Sequence, residues 1–215
     1  MELSEVMNER RSVRSFVSDP VSDETITEIL DEARWAPSWA NAQGWDVFVL
    51  RGDALARYKS MMAEKLTAEA APDPDLPMTQ RDQWPEHILA RMMYRRVTPG
   101  AASQAPPPRT GLAEAYGAPC MLLFAVDERL AAEYACFDLG LLVENVCLAA
   151  HDRGLGTCIM AMAVRYGSAL HGLVPQAKGH RFVVGVALGK PDPESALNHT
   201  ERQRTSLGDI VKFVD

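Results

Sequence analysis

Arg10-Arg11-Ser12-Val13-Arg14-Ser15-Phe16 places three guanidinium groups and two hydroxyls within six residues. Arg gives planar, two-point recognition of phosphate and stays charged at any working pH. Ser hydroxyls add neutral hydrogen bonds to the same anion. The surrounding chain of 215 residues is acidic, with a formal net charge of −7, so a local basic cluster reads as a candidate anion site. It follows Leu3, Val6 and Met7, whose spacing predicts a short N-terminal helix. A solvated helix end, where Arg complements the C-terminal dipole, accounts for the same residues, and the stretch alone leaves both readings open. A second basic cluster, Arg202-Gln203-Arg204, lies near the other end of the chain. A compact fold can bring both clusters to one phosphate.

A phosphate carrying a planar group also needs amide and hydroxyl partners, apolar walls and backbone amides near the ring. Ala36-Pro37-Ser38-Trp39-Ala40-Asn41-Ala42-Gln43-Gly44-Trp45 supplies the first, with Ser38, Asn41 and Gln43 beside two indoles. Ordinary turn residues flanking core indoles are the other reading. Residues 157–162 supply the second. No Gly-x-Gly-x-x-Gly follows a strand and no Gly-x-x-x-x-Gly-Lys-Ser/Thr occurs, so neither a dinucleotide fold nor a P-loop is supported. A mononucleotide held by Arg side chains remains.

Composition narrows the class. Hydrophobic residues make up 47% and charged residues 24%, ordinary for a globular protein with a sizeable core. No uncharged apolar run reaches the roughly 18 residues of a membrane span. Acids stand near the N-terminus where a signal peptide carries Lys or Arg, so a cytoplasmic protein is expected. Cys120, Cys136, Cys147 and Cys158 form no Cys-x-x-Cys pair and sit among apolar neighbours; buried free thiols are expected. The five histidines are scattered without zinc-site spacing. Three N-terminal arginines are too few and too local for nucleic acid, which needs a broad basic face.

The positioning elements follow in order. Residues 22–35 read as a helix capped by Ser22 or Asp23. Pro37 breaks it, and 36–45 is a loop leading into a short helix. Residues 46–51 read as a strand and 53–70 as a helix. Residues 71–110 carry eight prolines around one probable helix, 84–96, either a lid or a passive excursion. The apolar run 119–126 reads as a buried strand. Residues 132–152 are apolar or small around most of the circumference, which predicts a buried central helix and makes it the candidate for a dimer axis. Buried strands are expected over 154–163 and 180–189, a short helix over 164–173, and a final edge strand over 209–214. The chain counts as one domain, 1–215, with a lid-like excursion at about 71–112.

The order and spacing of these pieces resemble the FMN-dependent nitroreductase family. The match runs through Arg10 to Phe16, Ala36 to Trp45, Gly154-Leu155-Gly156-Thr157, the strand through Gly185, Gly189-Lys190-Pro191 and Arg202-Gln203-Arg204. The resemblance implies an α+β homodimer with a central, mostly antiparallel sheet wrapped by helices, the long helix at the subunit interface and FMN in a cleft between subunits. It implies that Arg10, Ser12 and Arg204 hold the phosphate and ribityl chain, assisted by Arg202, and that Arg14 lies near the N1/O2 edge of the ring. Arg11 belongs to the same set by position, with no contact assigned and a structural ion pair as its alternative. Pro37, Ser38, Asn41 and Gln43 match the cofactor loop. Ile159, Met160, Ala161 and Met162 fall where backbone groups approach the N5/O4 edge. Two departures stand out: Gly44 replaces the usual Pro, and Ala161-Met162 replaces a Glu-Gly or Gly-Gly pair, which leaves a backbone-only contact.

The reaction implied is ping-pong. NAD(P)H, as NADH or NADPH, reduces the flavin at N5; a nitroaromatic, quinone or similar conjugated acceptor then takes the electrons on the same ring face. The flavin carries the chemistry, and no catalytic side chain is assigned. Trp84, Met92 and Met93 are candidates for the acceptor pocket, with plain helix packing as the alternative. Other readings are another branch of the same fold (flavin destructase or reductive dehalogenase), a non-catalytic flavin-binding dimer, or a helical-interface protein whose Arg clusters bind nothing.

Overall fold

A computed structural model describes residues 1–78, 81–93, 109–200 and 202–214, with backbone alone at 81, 93, 109 and 110. The order is α1 (Leu3–Glu9), α2 (Asp23–Ala33), β1 (Trp45–Leu50), α3 (Gly52–Thr67), α4 (Glu86–Met93), α5 (Arg109–Ala113), β2 (Cys120–Asp127), α6 (Ala132–Asp152), β3 (Gly156–Met160), α7 (Gly167–Leu173), β4 (His180–Gly189) and α8 (Leu207–Ile210). The strands form one sheet ordered β1-β2-β4-β3, antiparallel at every pairing. This is the α+β architecture expected.

The apolar run Cys120–Val126 is buried because its strand lies between two neighbours and two helical layers. Its side chains alternate between them, as a period of two requires. Met121, Leu123 and Ala125 enter the core shared with α3, α5 and α7. Cys120, Leu122, Phe124 and Val126 enter the core shared with α2 and α6. The start of α2 is set by Ser22, whose hydroxyl accepts from the Thr25 amide at 3.1 Å.

The long helix α6 is buried on one side only. Leu139, Leu142, Val143, Val146, Cys147 and Ala150 pack on the sheet, while Tyr134 and Phe137 are 63% and 66% exposed. The expectation of burial all round is corrected to this half. The apolar run after Gly154 also divides. Gly156–Met160 is strand, and Ala161–Val164 curls into a 3-10 turn that buries Ala163 in the same core as Cys158 and Met160.

No strand forms over 209–214. Leu207–Ile210 is a helical turn, steadied by Ser206 Oγ donating to Asp209 Oδ2 at 2.7 Å. Among the described residues this segment pairs with no strand, and its own helical turn replaces the expected extension. The alternating tail stays exposed, Phe213 at 94%.

The excursion is pinned at its first end. The Asp73 amide donates to the Arg165 carbonyl at 3.0 Å and its carbonyl accepts from Gly167 at 3.1 Å. Asp75 Oδ2 accepts from the Phe182 amide at 2.7 Å and meets His171 Nε2 at 3.0 Å. Residues 94–108, the remainder of the expected lid, lie outside the described residues. Among the described residues no helix is long and apolar enough to cross a membrane.

Cys120, Cys147 and Cys158 are buried as expected, but Cys136 is only half-buried. Burial pushes the Cys120 thiol up to about 12 and the Cys147 thiol up to about 11. Native protein at pH 8 is therefore expected to show Cys136 as its first thiol to react with an aromatic disulfide reagent, the three buried thiols following only on unfolding. A second fast native thiol contradicts this packing.

Candidate functional site

The site is built on the free edge of β3. Helix α1 stops at Arg10, whose amide still bonds to the Val6 carbonyl at 2.9 Å, and the chain leaves extended. The Val13 amide then donates to the Thr157 carbonyl at 2.9 Å. Gly156 permits the approach: a Cβ there would stand 2.5 Å from Val13 Cγ2 and 2.9 Å from Pro191 Cγ.

This pairing decides which way the side chains point. Thr157 pairs with Leu188 and Ile159 with Val186, and both partners belong to the α2–α6 core. The Thr157 hydroxyl meets the Cys147 thiol on α6. Bridged residues share a face of a sheet, so Ser12 lies on the α6 side with Thr157. Arg10 reaches the same side, its Nε donating to Glu144 Oε1 at 3.1 Å. Val13, Cys158 and Met160 point into the opposite core. Ile159 is 42% exposed. Of Ile159 to Met162, then, Met160 has only its backbone to offer at this face.

The tail brings the second basic cluster to the first. Arg202 donates through Nη1 and Nη2 to the carbonyls of Arg10 and Asn8, which also satisfies the C-terminal end of α1. Burial lowers the Arg202 pKa, and Arg11, Arg204 and Arg10 nearby lower it further. At His151, burial lowers the pKa, Glu9 opposes it, and Arg10, Arg202 and Arg11 add to the lowering. Among the described residues, Arg11, Arg202 and Arg204 form no ion pair with a carboxylate. His151 Nε2 is buried with no hydrogen-bond partner. Arg10, Arg11, His151 and Thr157 line a cleft of about 300 Å³ together with Glu9 and Asp192. The open Nη fork of Arg10 and His151 Nε2, which has no hydrogen-bond partner, fit the phosphate end of a mononucleotide there. No cluster of His, Cys, Asp or Glu suited to a metal occurs among the described residues.

Arg11 turns away from this face. Its Nη1 donates to the Asn198 carbonyl at 3.1 Å, so its expected ion pair is corrected to a backbone contact. Asn198 was not legible as a site residue. Its Oδ1 accepts from the Arg14 amide at 2.8 Å, and its Nδ2 donates to the carbonyls of Ser15 at 2.8 Å and Asp192 at 3.0 Å. It clamps the basic segment to the tail. Arg14 Nη1 rests on the Ser12 carbonyl at 3.3 Å. Arg204 is exposed, with Nη1 on the Gln203 carbonyl at 3.0 Å.

The 37–43 loop is held elsewhere on α6. The Trp39 amide donates to buried Asp138 Oδ2 at 2.9 Å, and Ser38 Oγ accepts from the Gln43 amide at 2.9 Å. Gln43 Nε2 turns back to the Asn41 carbonyl at 3.2 Å. Ala40, Asn41 and Gln43 have φ of 52°, 55° and 49°, a left-handed geometry that stores strain in residues other than Gly. Gly44 fits this loop where Pro would not. Leu130 Cδ1 occupies the space of its missing Cβ, and a Pro would drive Gln43 toward extended backbone. Pro37 and the Trp39 ring are exposed; the indole lies 5.5 Å from Tyr134 and is not core. Asp138 and Glu144 are separated by about 9 Å of helical rise and roughly 120° around the axis. Among the described residues no hydrogen bond or ion pair joins 37–43 to 10–14, 157–162 or 202–204. The loop and the basic segment thus hang from different points of α6. Trp84 and Met92 are half-buried on the excursion; the Met93 side chain lies outside the described residues.

The model of the nitroreductase family matches residues 7–190. The chain belongs to the nitroreductase family. It is 28% identical to the 4-nitrobenzoate reductase of Pseudomonas putida, over 97% of this chain and 94% of that protein. It is also 28% identical to the nitrobenzene nitroreductase of Ectopseudomonas oleovorans, over 99% and 96%. Its fold matches the FMN-dependent nitroreductase NfnB of Mycobacterium smegmatis, solved in complex with NADPH, with a TM-score of 0.87, 22% identity and coverage of 99% and 97%. In this nitroreductase fold the basic segment depends on Gly156. Gly156→Ala is expected to push Val13 off β3 and destabilise the protein by about 1–3 kcal/mol. A melting temperature equal to the parent's contradicts that.

Proposed function

We propose that this nitroreductase-family chain is an FMN-dependent oxidoreductase that uses NADH or NADPH to reduce nitroaromatic and related conjugated acceptors such as quinones. The observation that carries the reading is the shared face of Arg10, Ser12 and Thr157 beside α6, with Arg202 drawn against Arg10 from the far end of the chain. The curated relatives, named for nitrobenzoate and nitrobenzene, support the acceptor class. FMN held by these residues would supply the two-electron redox chemistry between a nicotinamide donor and the acceptor.

The protein's share is position and charge. Arg10, Ser12 and Arg204 bind the phosphate and ribityl chain, and Arg202 holds the backbone that carries Arg10. Arg14 sets a fixed cation near the N1/O2 edge, favouring the reduced, anionic ring. Ile159 offers an exposed apolar surface, and the backbone of Met160 to Met162 serves the other edge. Pro37, Ser38, Asn41 and Gln43 contribute from a second copy of the chain. The exposed flank of α6, with Tyr134 and Phe137, is the surface on which two copies pair. Trp84 and Met92, half-buried on the excursion, contribute to the acceptor pocket. A cytoplasmic location agrees with the composition.

The purified protein is expected to be yellow or to take up FMN, and to bleach with NADH or NADPH in the absence of oxygen. A colourless protein that takes up no FMN overturns the proposal. Arg10→Ala is expected to weaken FMN binding at least about tenfold, the loss of one charge-assisted two-point contact. Arg14→Ala is expected to lower the flavin midpoint potential by on the order of 30 mV, the two-electron equivalent of about 1.4 kcal/mol, with smaller loss of cofactor. Equal potentials in parent and Arg14→Ala remove the ring-edge role.

A further inference from the structure

We infer that Glu144, an acid beside a site built for an anion, is a positioning residue that aims Arg10 at the flavin phosphate. This rests on the FMN reading above.

Glu144 lies on the half-exposed flank of α6, one turn before Cys147, whose thiol meets Thr157. Its Oε1 accepts from Arg10 Nε at 3.1 Å, and the Arg10 side chain is 18% exposed. Among the described residues the Nη1 and Nη2 atoms of Arg10 make no hydrogen bond. A guanidinium has five N–H donors in one plane. Fixing Nε fixes that plane and leaves the Nη fork open for two-point contact with phosphate. The Arg10 backbone is fixed as well, because its carbonyl accepts from Arg202 and its amide closes α1. A long flexible side chain held at both ends loses less freedom when it captures an anion.

Charge alone makes the opposite prediction. A carboxylate beside a phosphate repels it, so its removal should tighten binding. Orientation requires that its removal loosen binding. The sign of the effect therefore separates the two roles.

The experiment measures FMN affinity by flavin fluorescence for the parent, Glu144→Ala, Glu144→Gln, Arg10→Ala and the Arg10→Ala/Glu144→Ala double variant. Failure of the parent to bind FMN sinks the functional proposal itself, before any variant is compared. With the parent binding, Glu144→Ala is expected to weaken FMN about tenfold, the scale on which an outer partner orients a binding side chain. Glu144→Gln keeps an acceptor oxygen and is expected to stay within about threefold of the parent, a rescue that general misfolding would not give. In the Arg10→Ala background the Glu144→Ala loss is expected to disappear. Unchanged or tighter binding by Glu144→Ala, a Gln that does not rescue, or a loss that persists without Arg10 overturns the assignment.

Discussion

The site depends on one backbone contact at a sheet edge. The Val13 amide on the Thr157 carbonyl fixes the basic segment as a short fifth member of the sheet. Because side chains alternate along such a segment, one hydrogen bond decides the direction of several residues. Ser12 faces α6 with Thr157, and Val13 enters the opposite core. A slip of one residue would exchange the two sets. Three features hold the register: Gly156 leaves room for Val13, Asn198 bonds the Arg14 amide, and Arg202 holds the Arg10 carbonyl.

Helix α6 converts that edge into a site. Its buried side rests on the sheet and aligns with β3 through Cys147 and Thr157. Buried Asp138 holds the 37–43 loop, and half-exposed Glu144, about 120° further around the axis, meets Arg10. The two halves of the expected site therefore hang from one rigid element, yet on different sides of it. In the proposed dimer, a second copy docked on the Tyr134 and Phe137 flank would present its own loop where the first presents its arginines.

Much of this was legible in the sequence, wherever a residue's environment depends on its near neighbours in the chain. The run at Cys120 to Val126, the cap at Ser22 and the length of α6 follow from local pattern. The pairing of the two Arg clusters followed from charge economy in an acidic chain. The rest depended on what occupies an edge or a face. The alternation at 209–214 resembles a strand, but a strand needs a neighbour, and among the described residues the segment pairs with none. Cys136 has apolar neighbours in sequence, but its side of α6 is not fully covered. Gly44 looked like a departure from a motif, and its reason is Leu130, far away in the chain. Asn198 gave no signal, since a lone Asn in a tail resembles any turn residue. Glu144 gave none either, since a half-exposed acid on a helix flank resembles any solvated carboxylate.

The central claim is that the arginine face and the 37–43 loop make one cofactor site only across two copies of the chain. Flavin content of an isolated mixed dimer tests it most directly. One copy would carry Arg10→Ala with Arg204→Ala, the other Ser38→Ala with Asn41→Ala, each with a different affinity tag. Both variant homodimers are expected to lose FMN. In the mixed dimer one of the two sites combines an intact arginine face with an intact loop, so about half of the parent's flavin content is expected at limiting FMN. A mixed dimer as empty as its parent variants would contradict the account.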